Sequence, residues 1–289
     1  MDFSLARQHL YQELQRDEID LLRAAFYIAQ QEYPDLDPEP YIARLDTWAS
    51  VIADRLPPER YPLRIVKVIR EYLCDELGFH GNTEQYYDPR NSYLNEVLDR
   101  RTGIPISLSL VYLELAKRVD FPMVGIGMPG HFLIRPDFDS AEIFVDVFNG
   151  GEILFPEDCQ GRLSEIYGQP IELRPEFLAP IEPRRFLVRL LMNLKGIYLS
   201  KRDIPRTLRT LETILMVWPE AIEERRDRGL LYFQQGRYVE ARLDLEFYLQ
   251  ALPGAPDQRQ IQMLLDNAIA QDDRDRSPDA MDSTDSEEK

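Results

Sequence analysis

The hydrophobic period of this chain changes twice, and those two changes limit what it can fold into. Up to Arg118, apolar residues recur about every 3.6 residues, the spacing of one face of a helix. After Phe121-Pro122 the period drops to about 2, the spacing of strands with a buried face. From Pro183 it returns to helical spacing. A short β segment between helical stretches predicts an α+β unit with more helical material behind it. At 289 residues, the chain is long enough for two domains or for one domain with an extension.

The spacing predicts helices over residues 5–32, about 40–56 and about 63–77. Tyr33-Pro34, Pro57-Pro58 and Gly78 end them. Residues 79–93 are rich in Asn, Asp, Gly and Pro and read as a structured loop, with Ser92 placed to cap a short helix. Past Gly103 and Pro105 an apolar run predicts a helix from about Ser107 to Arg118. Strands follow over 123–127, 131–135 and 142–147, with a fourth over 152–155. Pro129-Gly130, Pro136–Ser140 and Asn149-Gly150-Gly151 separate them. One central helix on an antiparallel meander is the expected core.

The last helical stretch repeats itself. Gly196 aligns with Gly229 and Pro219 with Pro253, at separations of 33 and 34 residues. The second copy carries Gly229, Tyr232, Gly236, Tyr238, Ala241 and Pro253, and resembles the tetratricopeptide repeat. The first copy is degenerate, with Leu208 where Ala241 sits. Residues 258–271 read as a capping helix. The tail over 272–289, with eight acidic and three basic residues, reads as disordered.

Composition narrows the partners. The formal net charge of −17 repels phosphate backbones and anionic lipid, so neither nucleic acid nor a membrane surface is expected as a partner. Two cysteines, Cys74 and Cys159, and three histidines, His9, His80 and His131, form no metal-ligand pattern. No glycine-rich phosphate loop follows a strand, so no cofactor is expected. Cys74 reads as core and Cys159 as part of a polar loop. No signal-type apolar region stands near the start and no run of 18 apolar residues occurs, so the expected compartment is the cytoplasm.

The residues that could carry chemistry are Ser107, His131 and Asp146. Ser107 stands where the central helix begins, and free N–H groups and the dipole gather at such an end. His131 begins a strand, and the hairpin brings Asp146 beside it, where a carboxylate fixes an imidazole tautomer. Their order is nucleophile, base, orienter. Each also has a purely structural reading: Ser107 as a helix cap, His131 bonded to loop carbonyls, Asp146 bonded to turn amides. The loop asparagines Asn82, Asn91, Asn95 and Asn149 read as groups that satisfy local backbone.

The motifs GFHGN at 78–82, YYDPRNSYLNEVLDRRTGIPISLSLVYLELAKR at 86–118, PGHFLIR at 129–135 and FVDVFNGG at 144–151 resemble the SirB-type family of transglutaminase-like proteins. The resemblance spans about residues 15–270. It implies a papain/transglutaminase-like α+β core with N-terminal helices and a C-terminal tetratricopeptide-like arm. The corresponding division is 1–182 for the domain (core about 78–160), 183–271 for the arm and 272–289 for the tail. In the superfamily the matching helix begins with a catalytic Cys. Here Ser107 stands at that position, with Ser109 as the alternative two residues on, and His131 and Asp146 match the other two members. A serine hydroxyl is not ionised by a helix end and a histidine as a thiol is. Two functions therefore stand side by side: a protein-interaction or scaffold protein that binds another protein or a peptide through the arm, and a Ser-His-Asp hydrolase or acyltransferase acting on amide or ester bonds.

Overall fold

A computed structural model describes residues 5–138 and 142–275. The chain divides into two compact units, the first ending at Ile197 and the second beginning at Tyr198. Residues 276–289, most of the expected tail, lie outside the described residues.

In the first unit, α1 (Leu5–Leu14) and α2 (Leu21–Gln30) replace the single helix expected over 5–32. The charged stretch between them carries its own restart signal. Asp20 is extended and its side chain accepts the N–H of Arg23, while Glu13 accepts the N–H of Asp20 at 2.8 Å. Then come α3 (Glu39–Arg55) and α4 (Pro62–Arg70), which passes into a wider π turn over Glu71–Glu76. A short parallel pair follows, β1 (His80–Gly81) with β2 (Thr102–Gly103). Between its two strands lies α5 (Leu94–Arg100). Ser92 does not cap that helix: its hydroxyl is buried without a partner, and Tyr93 holds the N-cap position.

The central helix α6 (Pro105–Arg118) starts two residues earlier than expected. Proline suits the first helical position, because its missing N–H would have had no acceptor there. Nearly every residue of α6 is buried, including Tyr112, whose hydroxyl donates to the Val66 carbonyl at 2.8 Å. The meander packs beside it as β3 (Met123–Ile126), β4 (Leu133–Pro136), β5 (Phe144–Asp146) and β6 (Glu152–Leu154), in that order and antiparallel throughout. The core gathers α2, α3, α4 and α5 with the meander around α6.

After β6 the chain forms α7 (Pro156–Tyr167), which puts Cys159 on a helix instead of in the expected polar loop. The signals are local: Pro156 at the first helical position, Asp158 accepting the N–H of Phe155 at 2.9 Å, and Gly168 at φ 64 closing the end. Cys159 and Leu163, one turn apart, face a second core under the meander. The helix α8 (Pro183–Ser200) carries the chain across the unit boundary.

The second unit holds α9 (Ile204–Val217), α10 (Ile222–Gln234), α11 (Tyr238–Ala251) and α12 (Gln258–Asp275), each packed on the next. The last helix runs past 271, the end expected for it, so residues 272–275 are helical and not part of a disordered tail. Asp272 is buried there, which anchors that extra turn.

The repeat residues are packing residues. Gly229 lies where α10 meets α11, and a Cβ on it would stand 2.9 Å from Leu245 Cδ2 and 3.0 Å from Asp244 Cβ. Ala241 is fully buried with Leu208, Leu211, Leu231 and Tyr232. Beside them Asp244, 3 % exposed, accepts both Nε and Nη2 of Arg228, at 2.7 and 2.8 Å. Gly229→Val should destabilise the protein by about 1–3 kcal/mol, because the added methyls have backbone-adjacent atoms in their way. Gly161→Ala, on α7 with open space around the position, should be neutral or stabilising by up to about 1 kcal/mol. Urea unfolding of both variants against the parent chain checks the pair.

Candidate functional site

Two residues of the expected constellation meet. The register of β4 against β5, with Ile134 opposite Val145, sets the start of one strand beside the end of the other. Gly130, at φ 72, makes the turn that delivers His131, and a Cβ there would meet Ile166 at 2.7 Å. The N–H of His131 returns to the Met128 carbonyl at 3.1 Å. His131 Nε2 then lies 2.7 Å from Asp146 Oδ2.

Asp146 is fully buried, and burial alone would push its carboxyl upward. Hydrogen bonds from His131 and from the Asn149 side chain and N–H outweigh that and hold it below the usual carboxylate range. Arg162 Nε lies a further 3.8 Å from Oδ2. An ionised carboxylate only accepts, so Nε2 of the imidazole carries a proton. Nδ1 is the nitrogen left for a ligand or a substrate, and among the described residues it has no hydrogen-bond partner.

Ser107 makes no hydrogen bond to this pair among the described residues. It is 1 % exposed, and its hydroxyl donates to the Asn91 carbonyl at 2.6 Å while accepting the N–H of Ile104 at 3.1 Å. The side chain therefore ties the first turn of α6 to the loop behind it. Ser109, the alternative, is fully buried on α6 and its hydroxyl has no partner. The residues of the helix start that do line the cavity beside His131 are Ile104, Pro105 and Ile106, which carry no nucleophile. The reason is the helix phase: with the first turn beginning at Pro105 and not at Ser107, position 107 faces the Asn91 loop.

Neither thiol fills the gap. Burial, then the nearby charges of Asp158 and Asp146, pushes the Cys159 thiol up to about 12. Burial pushes Cys74 up to about 11. Both remain protonated thiols near neutrality, the inert form.

The cavity holds about 230 Å³. Tyr86 closes one side, and its loop is built by asparagines. Asn91, fully buried, donates to the Gln85 carbonyl at 2.7 Å and accepts from Asn82 at 3.0 Å. From α8 come Arg189, Met192 and Asn193, which sequence reasoning did not single out. Their signal in the sequence is slight, since an Arg on an amphipathic helix usually faces water. Here the Arg189 guanidinium donates to the carbonyls of Met128 and His131 and lies 5.5 Å from the centre of the Phe132 ring. Among the described residues no group of three or more His, Cys, Asp or Glu could hold a metal ion, and no helix is long and apolar enough to cross a membrane.

The same architecture is met in known proteins. Residues 39–192 match the transglutaminase-like superfamily, and residues 194–266 match the tetratricopeptide repeat. A UPF0162 protein of Xylella fastidiosa is 38 % identical over 241 residues, which is 82 % of this chain and 85 % of that protein. Human F-box only protein 21 is 30 % identical over 192 residues, 61 % of this chain but only 29 % of that longer protein. The crystal structure of menin overlaps at a TM-score of 0.41 with 12 % identity, over 86 % of this chain and 70 % of that one, too loose an overlap to argue from. The chain belongs to the UPF0162 family of transglutaminase-like proteins, with tetratricopeptide repeats following the core.

Proposed function

We propose that this protein is a non-catalytic binding protein: the transglutaminase-like core has lost its nucleophile, and the tetratricopeptide arm holds another protein or a peptide. One observation carries the reading. The helix start beside His131 presents Ile104, Pro105 and Ile106, while the Ser107 hydroxyl is committed to the Asn91 carbonyl and the Ile104 N–H. A base without a nucleophile in reach cannot begin covalent acyl transfer. Repeat arms of this kind generally bind peptides or helices. On α11 the residues Val239, Leu243 and Phe247, each one turn apart, remain 44 %, 62 % and 42 % exposed, an apolar stripe suited to a partner. In this reading the protein works in the cytoplasm.

A second reading keeps support from the buried His131–Asp146 pair, whose geometry suits an acid–base role. As a Ser-His-Asp hydrolase or acyltransferase, the protein would need Ser107 Oγ to leave the Asn91 carbonyl and turn towards Nδ1.

A serine-directed fluorophosphonate probe separates the two. The parent chain should label no more than its denatured control; labelling that disappears in both Ser107→Ala and His131→Ala would replace the binding reading with the hydrolase. Ser107→Ala should also lower stability by about 1–3 kcal/mol in urea unfolding, because it leaves the Ile104 N–H and the Asn91 carbonyl buried and unpaired. For the arm, Leu243→Asp, at an exposed position, should abolish capture of the partner that the parent chain retains, without moving the unfolding midpoint. Unchanged capture would remove this stripe from the interface.

A further inference from the structure

The guanidinium of Arg189 is half-buried and forms no ion pair among the described residues. Its bonds go to backbone carbonyls of the turn that carries His131, which are neutral and leave the positive charge uncompensated. A half-buried cation held only by neutral carbonyls leaves room for a ligand to supply its counter-ion. Two further donors and the His131 ring line the same cavity. His131 is 9 % exposed and lines it with Nδ1 unpartnered among the described residues. The first turn of α6 brings the N–H of Ile106, which has no helical acceptor. Tyr86 brings a hydroxyl that burial keeps protonated, since it raises the phenol above its ordinary value.

We propose that this cavity binds a carboxylate group, with Arg189 as its counter-ion and the free N–H at the start of α6 as a hydrogen-bond donor. The size and charge choose among anions. About 230 Å³ is room enough for a carboxylate with one or two adjoining groups. One guanidinium and a helix end balance a single negative charge. In a chain of net charge −17, a multiply charged phosphate would meet repulsion that a monoanion largely escapes. The carboxylate could belong to a free small acid or to the end of a peptide chain. This deepens the binding reading above by giving the core its own ligand, and it fails separately. Fluorophosphonate labelling would end the non-catalytic reading and leave this site standing.

The full chain has three histidines, so their imidazole signals can be followed one by one in NMR spectra, with His131→Gln assigning the relevant one. Acetate, N-acetyl-alanine, N-acetyl-alaninamide and inorganic phosphate are titrated in separate arms. The carboxylates should shift the His131 signal saturably and leave His9 and His80 in place, whereas the amide should not. Met192 stands at the rim, 39 % exposed, so Met192→Glu sets a carboxylate there without disturbing the core. It should weaken binding at least about tenfold, as like charges do, while Met192→Gln stays within about twofold. Arg189→Lys should weaken it comparably to Met192→Glu. Equal affinity for acetate and N-acetyl-alanine upholds the site for a small acid; tighter N-acetyl-alanine upholds it for a chain end. No saturable shift, a shift by the amide as large as by the acid, phosphate binding as tightly as the carboxylates, or undiminished binding in Met192→Glu would each overturn the proposal.

Discussion

The burial of α6 on all sides governs the first unit. A helix wrapped by α2, α3, α4, α5 and the meander meets little water, so its buried polar groups need partners inside, and among the described residues Ser109 is the exception on this helix. Tyr112 does so through the Val66 carbonyl, and Glu114 through Arg118. Ser107 does so by satisfying the Ile104 N–H and the Asn91 carbonyl together. The same requirement accounts for the two backbone partners of the Ser107 hydroxyl.

The His131–Asp146 pair is held in place from several sides. The carboxylate is buried, bonded to Asn149 and held ionised, and the imidazole lies against it in one orientation. Those features also leave Nδ1 as a fixed acceptor at the wall of a small cavity. Arg189 is bonded to the carbonyls on either side of the same turn, so the cation and the imidazole are held by one piece of backbone. The positions of the cation and the imidazole thus rest on one turn, where Gly130 takes a φ of 72.

The second unit follows a different logic. Its helices pack pairwise through small residues and buried tyrosines, and its charge is absorbed locally by pairs such as Arg228–Asp244. Each helix pair needs only its neighbours, the hallmark of repeat architectures. A long apolar stripe on α11 can therefore stay exposed at little cost to the packing behind it.

Much of this was legible in the residues. The change of period at Phe121-Pro122 marked the meander, because alternation is a local property of a half-buried strand. The spacing of Gly229 and Ala241 marked the repeat, because only small residues allow that approach. His131 and Asp146 could be paired from the hairpin alone. The asparagines of the 82–91 loop were recognisable as backbone partners by type. Other features were not legible. The break between α1 and α2 turned on one capping carboxylate, and α7 on a proline whose role depends on where the preceding strand ends. The direction of Ser107 depended on the phase of a helix beginning two residues earlier, and each residue of phase turns a side chain by about 100°. Arg189 entered the site from α8, far along the chain, and no local pattern distinguishes an arginine facing water from one facing a cavity. Sequence alone determined most of the elements, their order and the His–Asp pair, since these rest on periodicity and short-range chemistry. Only the tertiary structure decided which side chains share the cavity, because that is set by packing between segments that the chain itself keeps far apart.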